Sequence, residues 1–248
     1  MRTYIKKRIR ASLQKRPFLA HAVSQAYRLL HAIRASAGIY FRFPSAYIAS
    51  DVRMIGISRI HIGNNVAIGT GSWLNVNERA SASVALSIGD NTFVGIRNFF
   101  TVGRSIRLGE YCLTTVDCSF IGSTHRYDNP MCAYMAAGIT PNADIYVGAN
   151  CFFGHGSQVL GNVRIGHGSV IGAGAVVRED IPPFSLVVGN PARVIKRFDF
   201  SARQWVRWPC ENFVEGPGEA EYLEHLRKQH GFVIQPISVA ARSFGNVF

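Results

Sequence analysis

The stretch VGANCFFGHGSQVLGNVRIGHGSVIGAGAVV, residues 147–177, returns a large apolar residue at every sixth position: Val147, Phe153, Val159, Ile165, Ile171 and Val177. Gly usually follows directly, as at Gly148, Gly154, Gly166 and Gly172. An α-helix repeats near 3.6 residues and an ordinary strand at 2, so a period of six is neither. It is the signature of a parallel β-helix, in which each hexapeptide forms one short side of a coil and three close a triangle.

Working outward, the same period opens at Ile62-Gly63, Ile68-Gly69 and Leu74. It resumes at Ile88-Gly89, Val94-Gly95, Phe100 and Ile106, and shifts again at Leu108-Gly109, Leu113 or Thr114, and Phe120. Val66, Phe93 and Ala175, one or two positions before a repeat residue, are expected to add smaller side chains to the core. The turn sequences Gly63-Asn64-Asn65 and Gly89-Asp90-Asn91 tolerate tight-turn backbone angles. The register breaks at 75–87 and 122–146, where loops must leave the scaffold, and function concentrates in such loops.

The organisation expected is a basic helical segment (1–50), the β-helix (51–197, with its loop at 122–146) and an extension (198–248) containing a helix near Glu219 to Gln229. In the first segment, Tyr4, Ile5, Ile9 and Leu13 form one apolar stripe. Leu19, Val23, Tyr27, Leu30 and Ile33 form a second after Pro17, ending near Gly38. Of the formal net charge of +12, most sits here, since residues 1–50 hold ten Lys or Arg and no acidic residue. Such a segment fits peripheral contact with an anionic membrane, a solvated helix face, or a cap on the open end of a β-helix. Charges interrupt it too often for a signal peptide, and no run is long enough to span a bilayer. The cytoplasm is the expected location, with the inner membrane face as the alternative. The five cysteines are odd in number with no C-x-x-C, so they read as reduced and mostly buried.

The repeat, closed by Asp180-Ile181-Pro182-Pro183 and by Gly189-Asn190-Pro191-Ala192-Arg193-Val194-Ile195, resembles the hexapeptide-repeat acyltransferases over residues 51–197. The resemblance implies an all-β fold built on a left-handed parallel β-helix, a homotrimer, and acetyl-CoA as acyl donor. The segment Ile121-Gly122-Ser123-Thr124-His125-Arg126-Tyr127-Asp128-Asn129-Pro130 is most similar to sugar O-acetyltransferases acting on polysaccharides. It implies His125 as the catalytic base. Imidazole titrates near pH 6.5, so it can accept a hydroxyl proton and return it to a leaving thiolate. Asp117 and Asp128 are both candidates to orient it. His155, Ala173, Arg178, Arg193 and Lys196 match cofactor-contacting positions. Arg193 is the best founded, a guanidinium being suited to phosphate oxygens. Tyr127 is placed with the acceptor, and Asn98 stands in where galactoside-binding relatives carry polar residues at the positions of Gly95 and Gly103. Arg178-Glu179 replaces a more usual Thr-Lys, and Phe152-Phe153 a usual Trp. A three-His zinc site is not expected, because His155 and His167 lie twelve residues apart on an eighteen-residue coil. The partners expected are its own copies and a sugar or polysaccharide precursor, with no nucleic acid. An N-acyltransferase on an amino-sugar nucleotide and a non-catalytic scaffold are the rival readings.

Overall fold

A computed structural model describes residues 37–77, 83–140 and 143–233. The chain divides into two units, Met1–Pro44 and Ser45–Phe248. Both N-terminal stripes lie outside the described residues. What is described of the first unit is α1 (Ala37–Arg42). Gly38, where a helix end was expected, lies within α1 without the left-handed angle of a stop.

The second unit is a parallel β-helix. Coil 1 holds β1 (Tyr47–Ile48), β2 (Arg53–Ile55) and β3 (Ile60–Ile62). Coil 2 holds β4 (Ala67–Ile68), β5 (Trp73–Val76) and β6 (Leu86–Ile88). Coil 3 holds β7 (Phe93–Val94), β8 (Phe99–Val102) and β9 (Ser105–Leu108). Coil 4 holds β10 (Leu113–Thr114) and β11 (Ser119–Ile121). It is then interrupted by the hairpin β12 (Thr124–His125) and β13 (Ile139–Thr140), and closes with β14 (Asp144–Val147). Coil 5 holds β15 (Phe152–Phe153), β16 (Gln158–Leu160) and β17 (Val163–Ile165). Coil 6 holds β18 (Val170–Ile171), β19 (Val176–Val177) and a bridge at Ile181. The final β20 (Ser185–Val188) continues the first side, and β21 (Arg193–Asp199) and β22 (Gln204–Arg207) fold back antiparallel. Corresponding strands stack into three sheets, here sheet 1 (from β1), sheet 2 (from β2) and sheet 3 (from β3).

The six-residue period follows from this stacking. Phe100, Phe120 and Val159 occupy one in-register column of sheet 2 and are fully buried. The Phe100 and Phe120 rings stack at 4.7 Å, and Phe153 meets Phe120 edge-on at 5.1 Å. Glycine after the repeat residue answers to close approach of the next coil. A Cβ at Gly154 would stand 2.6 Å from the Ala173 nitrogen. At the corner from sheet 3 to sheet 1, Asn65, Asn91 and Asn150 take positive φ of 53–58°, as the turn sequences required.

Of the alternatives Leu113 and Thr114, Thr114 points inward. One detail differs from expectation: Phe93 faces outward beside the buried Val94. The inward neighbour is the residue two places before the repeat position, filled by Val66, Thr92, Cys112 and Cys151. Three of the five cysteines are buried, while Cys132 is half-buried and Cys210 exposed. Burial pushes the Cys151 thiol well up, beside Cys112.

The outward rows differ by sheet. Sheet 1 presents Phe93, Leu113, Phe152, Val170 and Leu186, whereas sheet 3 presents His61, Ser87, Arg107, Tyr146 and Arg164. The extension runs down the corner between sheets 3 and 1. Arg197, between the Trp208 and Phe213 rings, bonds Glu215 at 2.7 and 2.8 Å and holds that carboxyl below its usual range. The His167 ring donates to Pro217 O at 3.0 Å. At the start of α2 (Glu219–His230), Glu219 accepts from Tyr146 Oη at 2.7 Å and the Ala149 N–H at 2.8 Å. Farther down, Arg227 pairs with Glu110, and Asn65 donates to Val233 O at 2.7 Å. This strap touches every coil from the sixth to the first.

Candidate functional site

Both long interruptions of the coil fall at one corner, from sheet 2 to sheet 3. One follows β5 and the other, residues 122–143, follows β11. The second leaves as an arm. Its root is polar: Ser123 Oγ lies 2.7 Å from Thr101 Oγ1 and accepts from Asn77 Nδ2 at 3.0 Å. Its stem is antiparallel, pairing Thr124 with Thr140 and His125 with Ile139. The Arg126 N–H donates to Gly138 O at 3.0 Å, and Thr140 Oγ1 donates to Thr124 O at 2.9 Å. Asn129 turns the chain by accepting from the Met131 N–H at 3.0 Å.

Between this arm and coils 5 and 6 lies a groove of about 570 Å³. Ile121, Thr124, Tyr127 and Thr140 line it from the arm side, and Leu160 and Arg178 from the later coils. The structure therefore brings Tyr127 and Arg178 to one groove; His125 is exposed on β12 beside the lining Thr124 and is not itself among the lining residues. Arg178 is exposed and engaged in no ion pair among the described residues.

Other expected residues sit elsewhere. His155 and Ala173 are exposed at the corner from sheet 1 to sheet 2, in consecutive coils, with the Gly174 N–H donating to His155 O at 2.8 Å. Arg193 and Lys196 are exposed on β21. Arg193 donates to Ala192 O at 2.8 Å and reaches Glu179 at 3.5 Å. Asn98 is 1 % exposed, and its amide donates to Thr115 O at 2.8 Å and Ile96 O at 3.2 Å. Its side chain thus ties adjacent coils together instead of facing an acceptor. The small turn in which it lies, after left-handed Arg97, points it inward.

Neither acid nominated for His125 is bonded to it. Asp117 is gripped by Arg97 at 2.7 and 2.8 Å, which with the charge of nearby His155 holds its carboxyl below the usual range. Asp128 is lowered by its own backbone N–H and by Arg126 at 3.2 Å. The Thr101, Ser123 and Asn77 root and the Leu160 and Asn162 wall were missed in the sequence. Their signal was positional, since all lie at the corner where the coil is interrupted. Among the described residues no group of three metal-ligating side chains converges.

Residues 144–179 match the bacterial transferase hexapeptide family, six repeats in length. Residues 144–179 of the coil are thus bacterial transferase hexapeptide repeats. A Staphylococcus aureus protein, provisionally named an acetyltransferase, is 39 % identical over 115 residues, covering 46 % of this chain and 56 % of that protein. A chloramphenicol acetyltransferase of Escherichia coli is 28 % identical over 131 residues, covering 44 % and 62 %. The chain thus spans little more than half the length of such curated relatives. Among solved structures, an N-acyltransferase from Bacillus cereus in complex with dTDP and 3-hydroxybutyryl-CoA superimposes with a TM-score of 0.56. It is 17 % identical, covering 76 % of this chain and 89 % of that one, and shares the fold. The resemblance to hexapeptide-repeat acyltransferases is borne out.

Proposed function

We propose that the protein is an acetyl-CoA-dependent O-acetyltransferase, acting as a homotrimer of left-handed coils on a sugar hydroxyl of a surface polysaccharide or its precursor. The observation that carries this reading is the groove beneath the arm, which Tyr127 and Arg178 line together; His125, exposed on β12 next to the lining Thr124, is proposed as its base. The relatives named acetyltransferases support acyl transfer.

The remaining chemistry is divided between two ridges. His125, Tyr127 and Arg178 flank one edge of sheet 2, and His155 and Ala173 the other, six residues of extended chain or about 20 Å away. Packing of copies side by side brings one ridge against the other ridge of a neighbour and completes a site. The residues fit a thioester donor with anionic phosphates. Gly174 and Gly156 leave open space at their ridge, where a narrow pantetheine arm lies against backbone, and Arg178, Lys196 and Arg193 supply cations. His125 accepts the proton of the sugar hydroxyl as that oxygen bonds to the acyl carbon, and returns it to the departing thiolate sulfur. Tyr127 steers the acceptor.

The test is transfer of acetyl from acetyl-CoA to sugar acceptors, followed by mild hydroxide. An ester releases acetate; a hydroxide-stable product identifies an amide and the N-acyltransferase reading. No transfer and no calorimetric binding of acetyl-CoA at millimolar concentration identifies a scaffold.

A further inference from the structure

We propose that the groove beneath the arm takes an acidic acceptor, a sugar carrying a carboxylate or phosphate, whose anion is held by Arg178, Asn162 and Ser123. This rests on the acetyl-transfer reading and divides its cations, leaving Arg193 and Lys196 to the donor. The protons at the groove point that way. Ser123 and Thr101 share one hydrogen bond of 2.7 Å, and they accept from Asn77 Nδ2 at 3.0 and 3.3 Å respectively. Two hydroxyl protons remain, and only one lies between the two oxygens. Thr101 Oγ1 is in a buried residue with no other acceptor among the described residues, so the shared proton is its own. Both lone pairs of Ser123, which lines the groove, are then filled, and its proton has only the groove to enter. Asn162 is set in the same sense. Its Oδ1 accepts from the Asp144 N–H at 3.0 Å, which leaves its NH2 donors for the groove.

Charge gives the same answer. Among the described residues that line the groove, Arg178 is the one cation and no side chain is acidic. The acids around it are engaged elsewhere: Asp128 with Arg126, Asp144 with Arg104 and Ser105, Glu179 with Arg193, and Asp180 with the Arg164 N–H. Those on the opposite ridge, which side-by-side packing brings to this corner, are engaged too. Asp117 is gripped by Arg97, and Asp51 accepts from Thr70 Oγ1 at 2.7 Å and the Gly71 N–H at 3.1 Å. A neighbouring copy therefore brings no spare carboxylate from that ridge, and the partner of Arg178 comes from the ligand. A guanidinium flanked by neutral donors suits carboxylate or phosphate oxygens. The register sets the scale. Ile121 pairs with Leu160, and Val159 with Val177, so Arg178 follows Leu160 two strands from the root of the arm, about 10 Å away. One sugar ring with its acidic substituent bridges that gap. Tyr127, and Thr140 whose proton goes to Thr124 O, remain for the sugar hydroxyls.

The experiment is calorimetric titration of the full chain, saturated with CoA, with glucose, glucuronate and glucose 6-phosphate. At least one of the two acids is expected to bind about tenfold or more tighter than glucose, and the acid that does so names the anion. Arg178→Gln removes that preference while the affinity for CoA stays within about twofold. Asn162→Asp keeps the oxygen that accepts from the Asp144 N–H and loses only the donors. It lowers acid binding and leaves hydrogen exchange in the arm unchanged. Equal binding of glucose and both acids overturns the proposal, as does binding of none. So does weakening of CoA by about tenfold in Arg178→Gln, which hands the cation to the donor. Arg178-dependent binding of an acid without transfer from acetyl-CoA keeps the acidic ligand and discards the acetyl-transfer reading. Transfer to glucose with no preference for the acids does the reverse.

Discussion

Two corners of one prism have opposite fates. From sheet 3 to sheet 1 the turns are tight, carry Asn65, Asn91 and Asn150, and lie beneath a strap bonded to successive coils. From sheet 2 to sheet 3 the turns are interrupted, and the arm stands over an open groove. The inward columns are alike at both, so the repeat determines the lattice and not what a corner does. What separates them is the polar residue at the bend. An Asn there recruits a strap through side-chain bonds, whereas an inserted segment leaves room for a ligand.

The largest structural effect is expected where the corners share a core. Phe120→Ala removes the central ring of the Phe100, Phe120 and Phe153 stack and is expected to cost about 3–5 kcal/mol by chemical denaturation. Loss of much less means that the coils relax around the gap. Glu219→Ala removes the acceptor of both Tyr146 Oη and the Ala149 N–H, an expected loss of about 1–3 kcal/mol. Hydrogen exchange should quicken in α2 and remain unchanged in the arm. Equal loosening of both would erase the distinction between corners.

Burial, then the neighbouring Glu219, raises the Tyr146 hydroxyl to about 12. A raised folded value means that its contribution is whole below the unfolded value near 10. It is lost as pH climbs through about 12. Stability of the wild type should therefore fall more steeply across that window than that of Tyr146→Phe. Ser123→Ala cuts the root of the arm and is expected to cost only about 1 kcal/mol, read as faster exchange at Arg126 without change in the strap.

The six-residue period made the coils legible, and the breaks at 75–87 and 122–146 located both interruptions. Asn98 was misleading because resemblance placed it with the acceptor, whereas it stands two places before the buried Phe100 and, after left-handed Arg97, faces inward. The strap was invisible for a related reason. Its partners, Asn65, Glu110 and Tyr146, are more than seventy residues from the extension, and no local pattern encodes such pairings. Arg178 and Tyr127 were nominated separately, by resemblance. Their shared groove follows from stacking coil 6 near the arm of coil 4.

The central claim is that the open corner holds the chemistry through His125, and single-turnover transfer by His125→Ala tests it most directly. Turnover is predicted to fall by roughly two to four orders of magnitude, with calorimetric affinity for CoA unchanged within about twofold. Turnover retained within about twofold of wild type would contradict it and shift attention to His155, on the opposite edge of sheet 2.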